Sequence, residues 1–97
     1  MIYWSKKPSE VIPKTIDFTD SLPVGESAVS AVVTACDEDG EDVSEDVFDD
    51  LSVVSPNVTV TLLVNGAAAV YALKYLITTT SGFVIEEDVE LTVREAV

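Results

Sequence analysis

The sequence predicts an all-β fold: a single immunoglobulin-like antiparallel β-sandwich of about six or seven strands, preceded by an extended N-terminal arm. Three observations predict it. The 97 residues suffice for one small domain and no more. Apolar residues make up 47% and charged residues 24%, close to the globular average, so the chain has the material for a core. The apolar residues recur at every second position in short runs broken by turn residues, and no stretch carries the wider period of an amphipathic helix.

Residues 1–14 contain Pro8, Pro13 and the cations Lys6, Lys7 and Lys14, a proline spacing that prevents a stable helix, and they are read as the arm. The sandwich occupies 15–97. Thr15 to Phe18 alternates and stops at Asp20-Ser21-Leu22-Pro23, with Gly25 closing the turn. From Ser27 to Cys36 the residues Val29, Ala31, Val33 and Ala35 share one face, and Ser30 and Thr34 the other. Asp37 to Asp50 breaks the pattern, because nine of its fourteen residues are acidic. It is expected to be a solvated, dispensable loop with room for one helical turn near Glu45 to Asp50, and only Val43, Val47 and Phe48 are able to reach a core.

Leu51 to Val54 makes a brief strand before Pro56, and Asn57 to Val64 alternates with Val58, Val60, Leu62 and Val64 in phase. Asn65-Gly66 reads as a turn. Val70 to Thr79 follows with Tyr71, Leu73, Tyr75 and Ile77 facing in, and Ser81-Gly82 turns the chain into Phe83 to Val93. Ala67-Ala68-Ala69 is the one helical signal. Three alanines do not nucleate a helix against the β-branched and aromatic run that follows them.

Five Lys and Arg against eighteen Asp and Glu leave a net charge of −13, which repels phosphates, so neither nucleic acid nor an anionic membrane is an expected partner. The absence of His and the single Cys remove His-based triads, His-ligated zinc and an intramolecular disulfide. No apolar run approaches the ~20 residues that span a bilayer, and the N-terminus has no signal-peptide pattern. No enzymatic activity and no cofactor are expected.

The order of signals over residues 6–32 and 58–93 resembles a family of small Ig-like virion proteins of tailed bacteriophages, described as fiber-tail adaptors or head-associated proteins. The resemblance rests on Lys6 and Pro8, on Ile16-Asp17-Phe18, on Leu22 with Gly25, on Gly66, on Tyr71 and Leu73 in a strand ending Ile77-Thr78-Thr79, and on Gly82. It implies a non-enzymatic virion structural protein, an adaptor or assembly module of tail or capsid. Its partners would be other virion proteins and copies of itself, assembled in the bacterial host cytoplasm. Two departures bear on partner choice: Ala67 stands where the family has a second glycine, and the Asp37 to Asp50 segment is more acidic than the family's.

Ile2, Tyr3, Trp4, Lys6 and Lys7 are the candidate partner-binding residues. Either the arm docks on a neighbouring subunit, or it folds back as an edge strand with Trp4 plugging one end of the sandwich. Asp37, Asp39, Glu41 and Asp42, with Glu45 and Asp46 beyond, are the candidate weak calcium ligands, although their spacing does not fit an EF-hand loop. They motivate an alternative function, a bacterial Ig-like adhesion or carbohydrate-associated module with a calcium-responsive acidic loop. Cys36 has no cation near it in sequence and is read as an inert thiol, while Tyr71 and Tyr75 are read as core tyrosines.

Overall fold

A computed structural model describes residues 2–63 and 69–94. The described residues run through seven strands and one helical turn: β1 Ile2–Lys6, β2 Ile12–Asp17, β3 Ala28–Cys36, α1 Ser44–Val47, β4 Phe48–Val54, β5 Asn57–Leu62, β6 Ala69–Thr79 and β7 Val84–Val93. They form a four-stranded sheet of order β1-β7-β6-β3 and a three-stranded sheet of order β2-β5-β4. The inward phase of each strand supplies the core between them: Val58, Val60 and Leu62 from one sheet, and Leu73, Tyr75, Ile77, Val89, Leu91 and Val93 from the other. The expected Asn65-Gly66 turn and the alanine run at 67–68 fall outside the described residues.

The arm is corrected as a segment separate from the sandwich, and of its two readings the structure shows the edge strand. Ile2, Trp4 and Lys6 alternate with Tyr3 and Ser5, and this short period-two pattern is enough to build β1, which pairs with β7 from Ile2 opposite Val89 to Lys6 opposite Val93. The pairing is parallel, so the sandwich is not wholly antiparallel. Pro8 falls in the connector to β2, and Pro13 lies on β2, an edge strand, where a missing N–H is tolerated.

The solvated acidic loop is corrected as well. Only its first part is a turn, closed by Gly40 at φ +83° and by an isolated bridge between Cys36 and Asp42. Val43 and Val47 lie four apart, on one side of the helical turn, and Val47 is fully buried in the core, with Val43 and Phe48 packed against it. Apolar burial of these residues outweighs the repulsion between neighbouring carboxylates. Phe48 then begins β4, whose ladder to β5 is interrupted between Asp49 and Ser52, where Asp50 takes φ 54°.

Edge strand β3 is tied down by the chain that follows it. The Ala28 N–H donates to Ser55 Oγ at 3.0 Å and the Ala35 N–H to Ser44 Oγ at 2.8 Å, while the Ala35 carbonyl accepts from the Val43 N–H at 2.8 Å. Near the start of β3 a register shift between Ala28 and Ser30 turns Val29 outward.

Candidate functional site

The outer face of the four-stranded sheet carries the side chains left over once the core is filled. In register across it, Val32 faces Leu76, and Leu76 faces Glu86; Thr34 faces Lys74, and Lys74 faces Asp88; Cys36 faces Ala72, and Ala72 faces Glu90, with Tyr3 of β1 beyond. Thr78 pairs with Val84 one step toward the β6–β7 hairpin. An open sheet face normally carries polar residues. Here Val32 and Val84 are each more than half exposed, at 59 and 62%, as are Val29 at the bulge and Phe83 in the hairpin, at 55 and 58%.

Beside these apolar residues, β7 presents Glu86, Asp88 and Glu90 at successive outward positions. Lys74 Nζ lies 3.7 Å from Glu86 Oε1, which leaves the face negative. The methyl group of Ala72 is short between its longer neighbours. A groove of about 380 Å³ results, lined by Thr34, Cys36, Ala72, Lys74, Asp88 and Glu90.

The residues expected to bind partners do not come together in one patch. Ile2 and Trp4 point inward, half-buried against the core; the Trp4 ring meets Tyr75 edge-on at 6.4 Å and 88°, with Lys14 Nζ 5.9 Å above it. Lys6 is buried, and its ammonium donates to the carbonyls of Lys7, Pro8 and Glu10 at 2.9, 3.4 and 3.0 Å. Burial lowers its pKa, against the opposing pull of the Glu10 carboxylate. Lys6 therefore holds the β1–β2 connector and is not offered to a partner. Tyr3 and Lys7 are exposed, Tyr3 toward Glu90 and Lys7 in the connector, where its N–H donates to Glu10 Oε1 at 2.6 Å.

Two of the four candidate calcium ligands, Asp37 and Asp42, use a carboxylate oxygen to hold the turn, while Asp39 and Glu41 enter it through their backbone N–H groups. Asp37 Oδ1 accepts from the N–H groups of Asp39 and Glu41 at 2.9 and 3.0 Å, and Asp42 Oδ1 from the N–H and Oγ of Ser44. The bonds from Ser44 hold the Asp42 carboxyl below its usual range. Among the described residues no group of three or more His, Cys, Asp or Glu is placed to hold a metal ion. Cys36 is half-buried at the groove, Tyr71 is half-buried against the core, and Tyr75 is fully buried. Sequence reasoning missed the outward face. The available signal was the outward phase itself, apolar at Val32 and Leu76 and acidic at Glu86, Asp88 and Glu90.

No family model and no curated protein matches the chain. Among solved structures it is similar to CopC from Methylosinus trichosporium OB3b, with a TM-score of 0.64 at 15% identity over 100% of this chain and 90% of that one. At that identity the likeness is one of fold. The virion structural role expected above is corrected on this finding: the solved structure that the chain resembles is CopC, a copper-binding protein, and it points away from a virion role. A copper site does not come with the fold: this sequence has no His and one Cys, and its described residues gather no metal-binding group.

Proposed function

We propose that the protein is a non-catalytic binding module whose working surface is the outer face of the four-stranded sheet. One observation carries this reading: exposed Val32 and Val84 and half-buried Leu76 adjoin Glu86 on one sheet face, and the groove floored by Ala72 and bordered by Asp88 and Glu90 lies further along the same strands. A contiguous apolar area rimmed by charge is what an interaction surface presents, whereas isolated surface valines need no explanation. The groove has the residues for recognition, and it holds no base-oriented nucleophile for a reaction: Cys36 faces Ala72 in register and has carboxylates nearby.

Cys36 makes the test direct, since it is the one thiol in the chain and borders the groove. Peptides selected from a random library against the protein should slow alkylation of Cys36 and lose binding to Val32→Ser. Selected peptides that leave Cys36 reactivity unchanged and tolerate Val32→Ser would place the binding surface elsewhere and overturn the reading.

A further inference from the structure

Resting on that reading, we infer that the occupant of this face is an extended, cationic segment of a partner protein, with an Arg or Lys side chain laid in the Ala72 groove. The groove has Ala72 as an apolar floor, Thr34 and Cys36 along one side, Asp88 and Glu90 along the other, and Lys74 at one end. Ala72 and the adjoining Cys36 offer a bed for an aliphatic stem, and Asp88 and Glu90 on β7 stand where its charged head emerges. Arg suits this arrangement best, because its planar guanidinium bonds two carboxylate oxygens at once.

The spacing extends the match along the strand. Glu86, Asp88 and Glu90 occupy alternate residues, so they repeat at about 7 Å, and an extended chain lying along β7 presents its own alternate side chains at the same interval. Lys74 is drawn to Glu86, which leaves Asp88 and Glu90 as the acceptors for the partner. At the hairpin end Val32, Leu76 and Val84 would receive one apolar side chain of the same segment. The net charge of −13 disfavours an acidic partner here and steers a basic one toward the molecule.

The probe is a fluorescent peptide with one Leu followed by Arg alternating with Ser, compared with the same peptide carrying Glu in place of Arg. The Arg peptide should bind, slow Cys36 alkylation and weaken with added NaCl, and the Glu peptide should not bind. The double variant Asp88→Asn with Glu90→Gln should weaken the Arg peptide about tenfold or more. A control variant, Asp39→Asn with Glu45→Gln, removes the same charge away from the groove, and its thermal unfolding confirms folding alongside that of the groove variant. Equal weakening by both pairs would show attraction to net charge alone and overturn the inference. Library peptides that protect Cys36 and require Val32 but carry no cation would also overturn it while leaving the binding face intact. If no peptide protects Cys36, the binding face fails as well.

Discussion

Tyr75 shows what a buried polar atom does to a small core. Its ring is completely enclosed, flanked by Trp4 and by Phe18 at 6.3 Å, and its hydroxyl has no hydrogen-bond partner among the described residues. Burial raises its pKa well above 10.0. An unpaired hydroxyl costs roughly 1 to 3 kcal/mol of desolvation with no bond to offset it. Tyr75→Phe should accordingly leave stability unchanged or raise it by about 1 kcal/mol. Urea unfolding measures this, and a loss of more than about 1 kcal/mol would mean that the hydroxyl is bonded in solution. The inward place of Tyr75 was legible from its phase with Leu73 and Ile77. The missing partner was not, because phase assigns a face and says nothing of which acceptors the opposite sheet brings near. Val29 was misplaced for a related reason: it was read in phase with Ala31 and Val33, and the bulge at Ala28 and Ser30 turned it out.

At the level of elements, β1 decides how the sandwich is closed. It covers the free edge of β7 and brings Trp4 over Tyr75, so it belongs to the domain. Deleting residues 1–7 is expected to lower the melting temperature and to produce dimers or larger species, as the uncovered β7 backbone seeks another strand. Sedimentation together with thermal unfolding checks both effects; a truncated chain that stays monomeric and as stable as the parent would show β1 to be dispensable. The sequence left this open because β1 is short and its partner is the last strand of the chain. The helical turn was expected near Glu45 to Asp50 and lies at Ser44–Val47; nine carboxylates in fourteen residues obscured only how firmly Val43 and Val47 anchor it in the core. The clean alternation of Asn57–Leu62, Ala69–Thr79 and Val84–Val93 had no such interference, and those strands lie within a few residues of where the pattern put them. The candidate face depends on which outward positions become neighbours, and only strand pairing determines that.

For the whole molecule, acid removes hydrogen bonds that ionised carboxylates accept. Glu26 accepts hydrogen bonds from Thr79 Oγ1, the Ser81 N–H and Ser81 Oγ, each at 2.9 Å, and so clasps the segment before β3 to the β6–β7 hairpin. The bonds from Ser81, then that from Thr79, hold its carboxyl below the ordinary 4.5; Asp17 and Asp42 are lowered in the same way by Thr19 and Ser44. A carboxyl whose folded pKa is depressed stabilises the fold above its unfolded pKa and loses that contribution as pH falls through the folded value. The melting temperature should therefore hold near neutrality and fall steadily below about pH 4.5. Glu26→Gln should melt lower than the parent at pH 7, with the gap narrowing toward pH 3 in a series of thermal scans; a gap independent of pH would show that the Glu26 charge is not what the clasp uses. The two serines bonded to the β3 edge, Ser44 and Ser55, have a different bearing. A domain with the binding face proposed above must stay dissolved at working concentration without zipping onto its own copies. Ser44 and Ser55 occupy the N–H groups near the two ends of that edge, so a foreign strand finds too few rungs to start a ladder, and association is left to side chains, where a partner can be chosen.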